Sequence, residues 1–66
     1  MSSVRKPSVK RKRTVFVIDD HPIVREGLAR LINREAELFV CGAAEDIYAA
    51  LKSMEILKPD IAIADI

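Results

Sequence analysis

The chain has 66 residues and a mass of 7.4 kDa; half of its residues are hydrophobic and 32% are charged. This composition is typical of a folded protein, and the length allows one small domain at most. The longest apolar or glycine run, residues 38–44, is far shorter than the roughly 18 residues of a membrane helix, and no signal-peptide pattern is present. We therefore expect a cytoplasmic protein with no membrane contact.

Charge is distributed unevenly along the chain. Residues 1–13 contain six basic and no acidic residues, whereas residues 14–66 contain five basic and ten acidic residues. This division predicts a flexible basic N-terminal arm, residues 1–13, followed by an acidic folded domain, residues 14–66. The basic run at residues 10–13 leaves open a contact with nucleic acid, with a solvated leader as the alternative.

The first half of the domain predicts a strand and a helix. Residues 14–18 form a continuous apolar run of β-prone residues, which indicates a strand buried on both faces. Apolar residues at helical spacing then predict a helix over residues 22–33. It begins at Pro22, because proline lacks the N–H that would have no partner in the first helical turn.

The second half predicts a strand, a helix and another strand. Residues 38–42 are predicted to form a strand. Asp46 is the predicted cap of a helix, which ends before Pro59 because the residue before a proline disfavours the helical conformation. Residues 60–64 form the third strand. The order β-α-β-α-β indicates an α/β fold with parallel strands, and right-handed crossovers place the two helices on opposite faces if the strand order is 2-1-3.

Three aspartates end two of these strands: Asp19 and Asp20 follow the first, and Asp65 follows the third. In the order 2-1-3 they meet at the sheet edge where open α/β sheets bind ligands. Crowded carboxylates repel unless a cation lies among them, and oxygen ligands favour Mg²⁺ over zinc. A carboxylate can also attack phosphorus to give an aspartyl phosphate. The alternative is that these acids are polar strand ends and caps, the role that we expect for Asp46 and Asp60.

Two segments, VFVIDDHPIVREGLARLI (residues 15–32) and KPDIAIADI (residues 58–66), resemble the first half of a CheY-like response-regulator receiver domain. The form Asp-Asp-His-Pro-x-x-x-Arg-x-Gly-Leu is most similar to the NarL/LuxR-type transcriptional regulators. The resemblance covers about residues 14–66 and implies a partial flavodoxin-like parallel sheet, truncated after strand three. It also implies two-component signalling that controls transcription through a DNA-binding domain missing from this chain.

The resemblance assigns roles to individual residues. Asp65 matches the phosphoacceptor, which a sensor histidine kinase phosphorylates in the family. Asp20 matches a direct Mg²⁺ ligand, Asp19 matches an acid that acts largely through a metal-bound water, and Asp65 completes the metal set. His21 follows the acidic pair, but the resemblance implies neither phosphorylation nor metal binding for it.

The chain departs from the family pattern because it stops one residue after Asp65. The Ser/Thr and Lys that contact the phosphoryl oxygens in the family lie beyond that point. Three strands with one helix on each face leave much of the sheet uncovered, so an isolated fragment is expected to be unstable or associated. The third strand would be an exposed apolar edge that invites receiver-receiver pairing. An alternative function is therefore a non-phosphorylatable remnant that acts as a protein-interaction module.

Other chemistries have little support in the sequence. There is no Gly-rich phosphate loop, Ser/His/Asp set or zinc motif, so we do not expect an enzyme. The single cysteine, Cys41, cannot form an internal disulfide and is expected to be a small buried hydrophobe in the second strand.

Overall fold

A computed structural model describes residues 12–65, and in this range the chain forms three strands and two helices. They are β1 (Arg13–Asp19), α1 (Pro22–Asn33), β2 (Leu38–Ala44), α2 (Ile47–Leu57) and β3 (Ile61–Asp65). The predicted order and the α/β class are confirmed, with strand ends that differ from the prediction by one or two residues. Most of the predicted basic arm, residues 1–11, and Ile66 lie outside the described residues.

The described strands form one parallel sheet in the order β2-β1-β3. The central strand β1 is buried from Val15 to Asp19, as its continuous apolar run predicted. Because alternate residues of a strand face opposite sides, burial of this whole run requires cover on both faces of the sheet. Both helices supply it, since α1 and α2 each contact β1 and β2.

The core on the α2 side is built around two side chains of β1. Phe16 and Ile18 pack with Ala50 of α2, and Met54 and Cys41 lie against this cluster. Cys41 is half-buried with a free thiol, which agrees with the apolar packing role expected for it.

The two helices start in different ways. Pro22 occupies the first turn of α1, and no side chain caps that helix. In contrast, the Asp46 side chain accepts a hydrogen bond of 2.8 Å from the Ala49 N–H at the start of α2. α2 ends at Lys58, whose left-handed φ of 49° turns the chain before Pro59. Pro22 and Asp46 therefore play the roles that the sequence predicted.

The pairing of β1 with β2 contains a bulge that the sequence did not reveal. Val15 lies opposite Val40 and Phe16 lies opposite Gly42, so Cys41 is an extra residue in β2. The bulge places Gly42 directly against the Phe16 ring, where a Cβ atom would lie 2.7 Å from Phe16 Cε2. Glycine is required here by close approach rather than by an unusual backbone angle.

The third strand is attached to the sheet on one side only. β3 pairs with β1, and it contacts neither helix in the part of the chain that the structure describes. At its start, Asp60 and Thr14 exchange several hydrogen bonds: Asp60 Oδ2 accepts from the Thr14 N–H at 2.8 Å, and the Asp60 N–H donates to Thr14 Oγ1 at 3.0 Å. Asp60 is thus a structural acid, as expected, and it sets the register of β3.

Candidate phosphoacceptor and metal site

The structure brings the predicted site residues to one edge of the sheet. Asp19 is the last residue of β1 and Asp65 the last residue of β3, and the two are paired in register across the parallel strands. Asp20 follows Asp19 in the turn before α1. This arrangement arises because β1 and β3 are adjacent and parallel, so their carboxyl ends coincide.

Asp19 is fully buried, and its two carboxylate oxygens have different surroundings. Oδ1 accepts a hydrogen bond of 2.8 Å from the backbone N–H of His21 and lies 3.0 Å from His21 Nδ1. Oδ2 is buried and has no hydrogen-bond partner among residues 12–65. The backbone N–H of His21 lowers the pKa of the Asp19 carboxyl from its ordinary value, with burial acting in the opposite direction.

His21 connects the two adjacent aspartates. Its Nδ1 lies 2.8 Å from Asp20 Oδ1 as well as 3.0 Å from Asp19 Oδ1, although the His21 side chain is 71% exposed. The hydrogen bond with Asp19 raises the pKa of His21, and the negative charges of Asp20, Asp19 and Asp65 act in the same direction. The sequence prediction assigned His21 no part in the site; its only local signal was its position directly after the acidic pair.

Arg25 holds the end of β1 from the first turn of α1. Its Nη1 donates a hydrogen bond of 2.8 Å to the backbone carbonyl of Asp19. The Arg25 N–H also donates to the carbonyl of His21, which is the first hydrogen bond of the helix. The turn that carries Asp20 and His21 is therefore fixed at both ends, and the sequence prediction did not identify this role of Arg25.

The donors at this edge fit a magnesium ion. Two of the predicted metal ligands, Asp19 and Asp20, form a group with His21 in which one donor atom from each residue lies within 4.8 Å of the others; Asp65 is not in this group. Carboxylate oxygens are the ligands that Mg²⁺ prefers. A buried carboxylate oxygen without a partner is costly, and a cation is a partner that would remove this cost.

The response regulator receiver domain family matches residues 15–66 of the chain. The chain belongs to this family. It is 38% identical over 52 residues to the DNA-binding transcriptional activator DevR/DosR of Mycobacterium tuberculosis, covering 79% of this chain and 24% of that protein. It is also 43% identical over 58 residues to protein-glutamate methylesterase/protein-glutamine glutaminase 2 of Vibrio vulnificus, covering 88% of this chain and 17% of that protein.

A solved structure agrees with this assignment. The signal receiver domain of the response regulator NarL from Mycobacterium tuberculosis superposes with a TM-score of 0.80 at 39% identity, covering 85% of this chain and 45% of that chain. The receiver identity and the partial CheY-like fold expected from the sequence are thus confirmed. The chain spans less than half of that receiver domain and about a quarter or less of the two relatives named above.

Among residues 12–65, neither helix has the length and hydrophobicity needed to span a bilayer.

One of the two relatives is named as a methylesterase and the other as a DNA-binding transcriptional activator. Segments similar to this chain therefore occur in proteins with different activities.

Proposed function

We propose that this receiver segment accepts a phosphoryl group on Asp65, at a Mg²⁺ site formed by Asp19, Asp20 and Asp65. The observation that carries the proposal is the register of the sheet, which pairs Asp19 with Asp65 at the ends of adjacent parallel strands. Asp65 is exposed, as a nucleophile that receives a group from another molecule must be. Asp19 is buried beneath the same edge, with one oxygen unpartnered.

The chemistry requires little from the protein beyond charge and position. A carboxylate oxygen of Asp65 attacks phosphorus, the bond from phosphorus to the donor breaks, and the donor leaves with the bonding electron pair. The attack uses a lone pair of a carboxylate oxygen, so the step calls for no separate general base. Asp19 and Asp20 hold negative charge beside the reacting atoms. A bound Mg²⁺ supplies the positive charge that reduces repulsion between these carboxylates and the incoming phosphoryl group.

The proposed donor is the phosphohistidine of a sensor histidine kinase, and the proposed output is control of transcription. Similarity to a transcriptional activator and to the NarL receiver domain supports this output. In a longer protein, phosphorylation would shift the receiver between two conformations and so release or pair a DNA-binding domain. In this proposal, that domain makes the contact with the regulated DNA.

The test is Mg²⁺-dependent labelling by a small acyl phosphate, measured by intact-protein mass spectrometry. It is made on the 66-residue chain and on a chimeric receiver, in which residues 14–66 precede the remaining part of the NarL receiver domain. The chimera supplies the second half of the sheet. We expect one phosphoryl group on the chimera, lost on Asp65→Asn and on removal of Mg²⁺ with a chelator.

Asp46→Asn is the matched control, because it also removes one carboxylate near this sheet edge while an asparagine retains the capping oxygen of α2. This variant should be labelled like the unmodified chimera. A folded chimera that is not labelled, or one that is labelled equally with and without Asp65, would contradict the proposed function.

A further inference from the structure

The imidazole of His21 lies beside the carboxylates of both adjacent aspartates. Its Nδ1 lies 3.0 Å from Asp19 Oδ1 and 2.8 Å from Asp20 Oδ1. Octahedral ions with bonds of about 2.1 Å hold neighbouring ligand atoms roughly 3.0 Å apart. Nδ1 thus has the spacing of an adjacent ligand to both carboxylate oxygens.

A second observation is that the buried carboxylate of this cluster has one oxygen without a partner among the described residues. Asp19 is fully buried, yet its Oδ2 has no hydrogen-bond partner within the described part of the chain. The neighbouring Oδ1 is already satisfied by the His21 backbone N–H. A cation bound by this carboxylate would give Oδ2 a partner and would replace the contacts of Nδ1 with the two acids.

We propose that His21 Nδ1 acts with Asp19 and Asp20 as a ligand for a divalent first-row transition ion, of the class of Mn²⁺ and Ni²⁺. The inference rests on the metal site of the proposed function and adds to it the choice of ion. Imidazole nitrogen is a good ligand for these ions, whereas Mg²⁺ prefers oxygen. His21 therefore strengthens the binding of transition ions relative to Mg²⁺, which binds through the carboxylates alone.

The competing explanation is that His21 only donates hydrogen bonds to the two acids. The two explanations differ in whether nitrogen enters the shell of the bound ion. His21 is the single histidine of the chain, so histidine labelled with ¹⁵N introduces one imidazole that pulsed electron paramagnetic resonance can identify beside Mn²⁺. Direct coordination predicts ¹⁵N hyperfine coupling to Mn²⁺, and this coupling should be absent from the His21→Gln variant.

The second measurement compares affinities for Ni²⁺ and Mg²⁺ by isothermal titration calorimetry. We expect His21→Gln to weaken Ni²⁺ binding by about tenfold or more, while Mg²⁺ binding changes by less than about threefold because Mg²⁺ needs only the oxygen ligands. Glu45→Gln is the control for general electrostatics. Glu45 is an exposed acid that directly follows the carboxyl end of β2, and the parallel strands β1 and β3 end in the same direction. This variant should change both affinities by similar small factors.

Both measurements are made on the 66-residue chain and on the chimeric receiver, with circular dichroism to confirm that each variant is folded. The proposal is overturned if folded protein shows no ¹⁵N coupling to bound Mn²⁺, or if His21→Gln leaves the ratio of Ni²⁺ to Mg²⁺ affinity unchanged. Failure of phosphoryl labelling with Mg²⁺ would instead contradict the proposed function, and ¹⁵N coupling would still support the His21 ligand.

Discussion

At position 42 the sheet leaves no room for a side chain. A Cβ atom there would lie 2.7 Å from Phe16 Cε2 and 3.0 Å from Leu57 Cδ1. The Phe16 ring is fully buried in the centre of the sheet, so it cannot move aside without disturbing the core. Gly27 is the opposite case, because a Cβ atom at this helical position would meet no atom within 4 Å.

The two glycines therefore predict opposite effects of the same substitution. Gly42→Ala should lower the free energy of unfolding by about 1–3 kcal/mol through overpacking, whereas Gly27→Ala should raise it by roughly 1 kcal/mol through helix propensity. Urea denaturation followed by circular dichroism measures both in the chimeric receiver. If both substitutions change the free energy of unfolding equally, the contact with Phe16 does not limit the size of the side chain at position 42.

At the scale of elements, β3 depends on β1 for its position. The pair Thr14 and Asp60 joins the beginnings of the two strands, 46 residues apart in sequence, through hydrogen bonds of 2.8–3.2 Å. The register of the two strands runs unchanged from the pair Val15 and Ile61 to the pair Asp19 and Asp65. The hydrogen bonds at the beginning of the strands therefore fix the position of Asp65 at their end.

Removing the Asp60 carboxylate should loosen β3. Asp60→Ala removes the acceptor of the Thr14 N–H and hydroxyl, at an expected cost of about 1 kcal/mol. Amide hydrogen exchange should then become faster in Ile61–Asp65 than in α1. Asp60→Asn is the control, because an asparagine side chain retains one oxygen acceptor. If exchange rises equally in both elements, Asp60 supports the whole fold rather than the position of β3.

In the molecule as a whole, the helices cover β1 and β2 but leave β3 uncovered. Both helices pack on β1 and β2, whereas β3 is exposed along its whole length in the described chain and contacts neither helix. β3 is also an edge strand, with Ile61 and Ile63 each 37% exposed. An apolar edge with unpaired backbone groups favours pairing with another chain, which agrees with the association expected from the sequence.

The 66-residue chain should therefore associate as its concentration rises. Ile63→Lys places a charge on the edge strand and should reduce the associated fraction in sedimentation equilibrium. Ile56→Lys makes the same chemical change at an 81% exposed position of α2 and should leave association unchanged. A chain that stays monomeric at all concentrations, or an equal effect of the two substitutions, would contradict association through β3.

Local sequence patterns correctly predicted the element order, the helix bounds Pro22–Asn33 and the cap at Asp46. Hydrophobic periodicity, proline and capping groups act over a few neighbouring residues, so they can be read without knowledge of the fold. The positions of the three candidate aspartates at strand ends were visible for the same reason. Their roles in phosphoryl transfer and metal binding remain predictions.

The contacts that join distant segments could be identified only once the chain was seen folded. The bulge at Cys41 depends on the pairing of β2 with β1, and Thr14 and Asp60 are hydrogen-bonded although they lie 46 residues apart in sequence. No local sequence pattern predicts the bulge or these hydrogen bonds. The site around Asp19 has the same origin. Its burial, its unpartnered oxygen and the double contact of His21 arise because the end of β1 is enclosed by the packed fold, and burial depends on what the whole chain places around a residue.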